Sequence, residues 1–433
     1  MKILYVSQYF PPEMGAPAAR VAELSQHWVK LGHDVQVLTG FPNHPTGIVP
    51  VEYRSLLRRG LWREEYNGVN VLRTWLWPLP NRKAHERILN YSSFCLSSAF
   101  AGLSLSRPDV VIATSPQLLV AVSGYWLARV KRVPFVFEVR DLWPESLAAV
   151  GQGSEGSLLH NTLAAIARFL YRYSDHIVVV TPAFKDYLIQ HWRVPAAKIS
   201  VVENGVETDL FAPSTAAASL PAELASVGRF VVCYIGTMGM AHGLETLLAA
   251  AAKLKTSFPE ASFLLIGEGA EKVRIQAIAA SQGLNNVVFL DQQPRERIPA
   301  FINASDAAVV LLKKTDLFKT VIPTKLLEFM SCAKPVVLGV SGQARQILEA
   351  AQAGIAIEPE DPDALANAVL QLASDVALRR QLGENGREHI TRHFSRAQTA
   401  KTYTSVLADL IGEERVGEPY ESVLPSDAVT APR

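Results

Sequence analysis

Phe230-Val231-Val232-Cys233-Tyr234-Ile235-Gly236-Thr237-Met238-Gly239 reads as a buried strand that runs straight into a glycine-bearing loop. Gly243 ends the loop. Leu244, Leu247, Leu248, Ala251 and Leu254 then recur at helical spacing, and residues 262–266 form the next apolar run. The front of the chain has the same plan. Residues 3–7 are a short β-rich run, Gly15 lies in the loop that follows, and Val21, Leu24, Trp28 and Leu31 share one helical face. Gly32 stops that helix, and residues 34–38 are the next strand. Each half therefore opens with a βαβ unit, the start of a doubly wound sheet.

Further short, β-branched runs at 110–113, 135–139, 176–180 and 199–202 extend the first sheet. Runs at 287–290, 307–311 and 335–338 extend the second. Near-continuous apolar strands of this length suit a parallel sheet covered on both faces. The expectation is an α/β protein with two Rossmann-like doubly wound domains, residues 1–210 and 211–385, facing a central cleft beyond their strand ends. A helix over 386–411 is expected to return to the first domain. The linker is placed in the Ala-rich stretch between Phe211 and Gly228, and residues 412–433 read as an aperiodic tail.

Composition narrows the function classes. The chain's 433 residues are enough for two domains of roughly 200. A net charge of +1 leaves no electrostatic footprint for nucleic acid. Cys95, Cys233 and Cys332 are far apart and odd in number, so neither a disulfide framework nor a metal spacing exists and a reducing cytosol fits. The N-terminal run reads as a strand and not as a signal peptide, and no stretch of about 20 apolar residues is present to span a bilayer.

One segment points to anion chemistry. Pro323-Thr324-Lys325-Leu326-Leu327-Glu328 reads as a helix start, with Pro323 where a missing N–H costs nothing. Lys325 and Glu328, three apart, share a face there. A cation at that place can meet a phosphate drawn to the helix N-terminus, and the carboxylate can accept sugar hydroxyls. A plain surface Lys–Glu pair has the same spacing. Asp361-Pro362-Asp363 has the look of a metal-binding carboxylate pair, but an acidic N-cap before an apolar-periodic run accounts for it. The ten histidines show no zinc spacing, and no metal or other cofactor is expected.

Several blocks in order carry a family resemblance. They are Phe10-Pro11-Pro12-Glu13-Met14-Gly15, Val139-Arg140-Asp141-Leu142-Trp143-Pro144-Glu145-Ser146, Glu203-Asn204-Gly205-Val206-Glu207, Tyr234 to Gly239, Leu264-Leu265-Ile266-Gly267-Glu268-Gly269, and the Lys325 segment. Over residues 1 to about 410 the chain resembles the retaining, nucleotide-sugar-dependent glycosyltransferases of family 4, which have the GT-B fold. The Asp141-Leu142-Trp143-Pro144 form resembles a bacterial subgroup that builds surface polysaccharides such as O-antigen or capsule, with transferases for N-acetylated deoxyamino sugars of the N-acetylfucosamine type.

The resemblance implies roles. The second domain would hold the donor, a nucleoside-diphosphate-sugar, with Gly236, Thr237, Gly239 and His242 in the loop near its diphosphate. Thr237 and His242 stand where the family usually has Arg and Lys, so Lys325 would carry more of the charge. Glu328 matches the second of two family glutamates, which binds ribose hydroxyls; the first would fall at Thr320. Apart from the resemblance, Gly267-Glu268-Gly269 reads as a tight βα turn from which Glu268 could reach the nucleoside, and Lys314, Lys319 and Thr320 share a loop that suits sugar or phosphate contacts and equally a solvated basic surface. In the first domain Gly15 would allow close approach to the donor, assisted by Arg20. Arg140 stands where many members have His and would orient a sugar hydroxyl or phosphate, and Asp141 would accept a hydrogen bond from the acceptor; a structural Arg–Asp pair beneath Trp143 fits the same residues. Arg20, Asn204 and Lys319 complete the acceptor and sugar candidates, and Lys325, Arg140 and Asp141 the catalytic ones.

The basic stretch Asn81-Arg82-Lys83-Ala84-His85-Glu86-Arg87 is followed by Ile88, Leu89, Tyr91, Phe94, Leu96 and Phe100, with Trp62, Trp75 and Trp77 upstream. Such a segment can lie on an anionic bilayer, so residues near 82–100 are expected to dock a cytoplasmic enzyme peripherally on the inner membrane, next to a lipid-linked acceptor. A helix buried in the domain core has the same pattern. Two other readings stand beside this one: a nucleotide-sugar epimerase, which shares the two-domain architecture, and a non-catalytic sugar-nucleotide-binding scaffold, which the missing first glutamate and the Thr237 and His242 substitutions suggest.

Overall fold

In the computed structural model the described residues are 1–44, 46–80, 83–149, 156–214 and 228–412. The chain forms two compact units, Met1–Asn204 with the segment from Arg396, and Gly205–Ser395. The first unit holds strands β1 (Lys2–Val6), β2 (Asp34–Gly40), β3 (Leu61–Tyr66), β4 (Val69–Thr74), β5 (Val110–Thr114), β6 (Phe135–Val139), β7 (His176–Val179) and β8 (Ile199–Val201). The second holds β9 (Phe230–Ile235), β10 (Ala261–Ile266), β11 (Val287–Leu290), β12 (Ala307–Leu311), β13 (Val336–Gly339) and β14 (Gly354–Ala356). The sheet orders are β3-β4-β2-β1-β5-β6-β7-β8 and β11-β10-β9-β12-β13-β14. Every predicted strand is present to within two residues.

In each sheet the first strand has a neighbour on both sides: β1 pairs with β2 and β5, and β9 with β10 and β12, all parallel. The winding reverses there, so the loops after β1 and β9 leave their sheets at the switch point, where open α/β sheets bind ligands. Central strands such as β5, β6, β9 and β12 are buried along their whole length. Their Val- and Ile-rich composition follows from helices covering both faces.

Three elements depart from expectation. β3 and β4 form an antiparallel hairpin with Tyr66 opposite Val69, and Asn67 and Gly68 turn between them at φ 49° and 81°. Asn-Gly is the pair that such a two-residue turn favours. β14 has three residues, too few to show a period. The segment expected as one helix over 386–411 is two, Val376–His393 and Arg396–Ile411, interrupted at Phe394-Ser395.

The last of these helices belongs to the first unit. Trp28 is fully buried against it, donating its indole N–H to Ala400 O at 3.2 Å and meeting the Tyr403 ring at 5.3 Å. Arg396 Nε donates to Glu23 Oε2 at 2.9 Å. The first unit's leading segment ends at Asn204 and not at residue 210, because the chain beyond it is held by the second unit. Arg387 Nη1 donates to the carbonyls of Thr208 and Phe211, both at 2.9 Å, and Ser331 Oγ to Phe211 O at 2.6 Å. Most of the expected linker, 215–227, and the tail after 412 lie outside the described residues. Asp361 acts as the helix cap its sequence suggested, accepting from Ala364 N at 2.9 Å.

Candidate functional site

In the second unit, β9 ends at Ile235, and the next residue, Gly236, turns at φ 139°. A methyl group there would come within 2.9 Å of Lys325 Nζ. The two segments that sequence reading assigned to one anion site are thus in contact. Gly267, at φ 147°, supports the turn from below: a Cβ would lie 2.0 Å from Gly236 O, a backbone atom that cannot yield. Gly239 is different, since its φ of −107° suits any residue and a Cβ would meet nothing nearer than Thr237 Cγ2 at 3.5 Å. The reason for glycine given at Gly236 does not extend to it.

The loop spends half of its amides on the end of β10 and the turn that follows it. Gly236 N donates to Ile266 O and Met238 N to Glu268 O, at 2.9 and 2.8 Å. The Thr237 and Gly239 N–H groups donate to no described residue. Thr237 is exposed, and its carbonyl accepts from Tyr234 Oη at 2.6 Å. Alternate amides are therefore the ones left to meet an anion, and Tyr234 braces the turn that presents them.

Lys325 lies in the first turn of helix Thr324–Ser331. Its Nζ is buried without a hydrogen-bond partner and sits 4.0 Å from the centroid of the Tyr234 ring. A ring face recovers about 2 kcal/mol for a desolvated cation, less than the several kcal/mol that burying the ion costs. Burial accordingly pushes the ammonium from its ordinary 10.5 down to about 7, against a smaller upward pull from Glu328. An anion delivered to this point supplies the missing partner.

His242 does not add charge there. Burial, and secondarily Lys325, lower it to about 3. It is a neutral ring facing Leu311 O at 3.4 Å, standing edge-on to Tyr234. Glu328 is already oriented by a residue that sequence reading missed: Arg295 Nη1 donates to its Oε1 at 2.9 Å. Glu268 is engaged with Lys272, whose Nζ also holds Asp291, both at 2.5 Å. Lys319 pairs with Asp316 at the surface. Thr320, where a carboxylate was implied, is buried and donates to Leu317 O at 2.6 Å, so it stands in for no acid. Lys314 lies 3.9 Å from Glu358 on the surface.

In the first unit Arg20 is structural. It is fully buried and donates through Nε and Nη2 to Glu138 Oε1, at 3.0 and 2.8 Å. Its Nη1 donates to Asn204 Oδ1 at 3.0 Å, which occupies both of these acceptor candidates in one core network. Glu138, unsuspected from sequence, sits wholly buried on β6 and takes a 2.6 Å hydrogen bond from Tyr5 Oη on its other oxygen. Arg20 holds its carboxyl below the ordinary carboxylate range despite burial. Arg140 and Asp141 follow β6, and their backbone N–H groups both donate to Ser115 Oγ, at 2.7 and 3.2 Å. They form no ion pair with each other among the described residues. Burial lifts Asp141 to about 6 against the pull of Arg140. Gly15 caps helix Ala16–Lys30 at φ 134°.

Helix Ala84–Ala101 divides its apolar residues. Phe94 is fully buried, correcting its place in the proposed surface stripe, while Leu96 and Phe100 are 63% and 68% exposed. Ile88, Leu89, Trp75 and Trp77 are exposed as well, and Lys83 opens the helix. Arg82 lies outside the described residues. No helix among the described residues is long and apolar enough to cross a membrane.

Residues 15–205 match the family described as Glycosyl transferase 4-like domain, and residues 218–389 the one described as Glycosyl transferases group 1. Among curated proteins, the chain is 24% identical over 412 residues to the protein named colanic acid biosynthesis glycosyl transferase WcaI of Escherichia coli (strain K12), covering 91% of this chain and 98% of the relative. It is 25% identical to the glycogen synthase of Mycobacterium tuberculosis (strain CDC 1551 / Oshkosh), covering 94% of each. Sucrose-phosphate synthase from Thermosynechococcus elongatus superposes with a TM-score of 0.76 at 21% identity, covering 95% of this chain and 99% of that one. Anabaena HepE, solved in complex with UDP-glucose, superposes at 0.69 and 19% identity, covering 94% and 100%.

Proposed function

The chain is a glycosyltransferase of the group 1 kind with the two α/β domains of the GT-B fold, related to enzymes of bacterial polysaccharide biosynthesis, and on that premise we propose that it moves a sugar, with retention, from a nucleoside-diphosphate-sugar to a lipid-linked or saccharide acceptor. The second unit takes the donor and the first the acceptor. The observation that carries this reading is the buried, partnerless Lys325 ammonium against the Gly236 turn. As the sugar–phosphate bond breaks, negative charge grows on the leaving diphosphate. Lys325 and the Thr237 and Gly239 amides are preorganised donors for that charge, each worth about 3 kcal/mol in a water-excluded site. Glu328, held by Arg295, accepts ribose hydroxyls. Among the described residues no side chain beside the Lys325 turn is a clear nucleophile, so departure and attack share one face of the sugar. The anionic charge is met by protein groups, and transfer is expected to survive EDTA.

The solved complexes of HepE contain UDP, glucose or UDP-glucose, which makes UDP-sugars the first donors to try, with N-acetylated deoxyamino sugars among them. Acting on a lipid-linked acceptor, the enzyme would work at the cytoplasmic face of the membrane, docked by Leu96, Phe100 and their exposed neighbours.

Calorimetric titration with UDP, GDP and dTDP tests the donor assignment. One of them binds the wild type, and Lys325→Ala weakens it by more than tenfold while the fold is kept. Equal binding by the variant, or none by the wild type, overturns the reading. Donor turnover with no acceptor added would instead mark an epimerase.

A further inference from the structure

We propose that Arg140 recognises an anionic group, a carboxylate or a phosphate, on the acceptor; this rests on the reading that the first unit takes the acceptor. The side chain leaves the carboxyl end of β6, the edge at which open α/β sheets bind ligands. Its backbone is pinned, because the N–H groups of Arg140 and Asp141 both donate to Ser115 Oγ. Its guanidinium is not. Nε and Nη1 are shut off from solvent with no partner. Nη2 also bonds to no described residue, and as the side chain is only partly buried, it is the nitrogen left open to the outside.

The nearby carboxylates do not fill this gap. Both Glu138 oxygens are committed, Oε1 to two Arg20 nitrogens and Oε2 to Tyr5. Asp141 makes no ion pair with Arg140. Burial and the positive charge of Arg20 both disfavour this cation, against smaller pulls from Glu138 and Asp141 that act through space and fill none of its N–H groups. A guanidinium stays protonated in such surroundings and cannot resolve the mismatch by giving up its proton. Farther along the chain Trp143 Nε1 and Glu145 Oε2 are also buried without a partner, the first calling for an acceptor and the second for a donor such as a sugar hydroxyl. A sugar hydroxyl would satisfy one N–H and leave the charge. A carboxylate or phosphate satisfies the planar fork and the charge together. Acceptors meet this need in two ways, with an acidic sugar or with a phosphate linking sugar to carrier.

Binding experiments separate these. Wild type, Arg140→Gln, Arg140→Lys and Lys325→Ala are each titrated with glucuronate against glucose, and with glycerol 3-phosphate against glycerol. Tryptophan fluorescence and thermal unfolding are read. One anion binds saturably to wild type and equally to Lys325→Ala, while Arg140→Gln binds it about tenfold or more weakly. The responding anion identifies the source. Should Arg140→Gln fail to fold, Arg140→Lys decides, since it keeps the charge but not the fork and is expected to bind about threefold more weakly or worse. Unchanged affinity in the folded Arg140 variant, or no saturable anion binding to wild type, overturns the proposal. Loss of nucleoside-diphosphate binding in Lys325→Ala is scored separately, so a failure of the donor reading and a failure here are distinguishable.

Discussion

Lys325 Nζ stands 4.0 Å above the Tyr234 ring with no hydrogen-bond partner, in contact with the Gly236 turn. A cation placed in this way is destabilised in the free protein and stabilised by whatever anion arrives. If the proposed donor site is right, the placement links donor binding to pH.

Burial holds Lys325 near 7, below its ordinary 10.5. Between those values the unfolded chain carries a proton that the folded free protein lacks, so this group makes stability rise with pH, by at most about 1.4 kcal/mol per unit. A bound diphosphate restores the proton. Above pH 7 nucleoside-diphosphate affinity therefore falls with rising pH, by up to about tenfold per unit. His242, at about 3, stays neutral throughout. Calorimetry at pH 8 in two buffers of different ionisation heat should register proton uptake, absent in Lys325→Met. Buffer-independent heats in wild type would remove Lys325 from the diphosphate site.

Gly236→Ala adds one methyl group at φ 139°, a conformation L-residues avoid, 2.9 Å from Lys325 Nζ. The lysine tip can move, but the backbone cannot without losing the Gly236 N to Ile266 O bond. The expected result is a stability loss of about 1–3 kcal/mol in chemical denaturation and a donor affinity at least about tenfold weaker. Gly239→Ala, at φ −107°, should fold as the wild type does. Equal affinity for both variants and wild type would show that the Gly236 turn does not touch the donor.

How much of this was legible in the sequence depends on the range of each interaction. The fold was, because two βαβ openings repeat and strand periodicity is local. Gly236 was legible as the glycine loop after the second βαβ opening, and Lys325 as part of its own helix-start segment, both of them local patterns. The β3–β4 hairpin also had a local signal, Asn67-Gly68, although strand β3 is half-exposed and has no apolar run to draw attention. Glu138 had none. Val136-Phe137-Glu138-Val139 reads as a strand with a stray acid, and the Arg20 that justifies its burial is 118 positions away. Arg20 itself resembled a ligand contact for the same reason, because a helix-borne arginine near a glycine loop looks alike whether it faces a substrate or a buried acid. Arg295 was invisible for the lack of any pattern linking it to Glu328, 33 residues on.

The Arg20–Glu138 pair is the clearest test of that distinction. Both side chains are buried to within 1%. Glu138→Gln leaves an uncompensated guanidinium in the core and should cost about 3–5 kcal/mol. Because Arg20 holds the Glu138 carboxyl below its usual range, the pair's contribution is present above the unfolded carboxylate value and is lost as pH falls through the lowered one. Denaturation midpoints from pH 7 down to pH 3 would show the wild-type advantage over Glu138→Gln shrinking toward the acid end. A gap that stays constant with pH would mean the carboxylate is not ionised in the fold.

The proposed membrane docking turns on two side chains that the fold leaves outside. Leu96 and Phe100, 63% and 68% exposed on one helix, contribute little to the core, so replacing them with Glu should leave the melting temperature within a degree or two. Inserted below the headgroups, each would add about 1–2 kcal/mol of bilayer affinity. Co-sedimentation with vesicles containing phosphatidylglycerol is expected to fall about tenfold or more for each single variant. Lys83→Glu should weaken binding only at low salt, since its attraction to anionic lipid is screened within a Debye length of about 8 Å at physiological ionic strength. If Leu96→Glu and Phe100→Glu sediment as the wild type does, the exposed face of helix Ala84–Ala101 has another use and the acceptor is delivered without it.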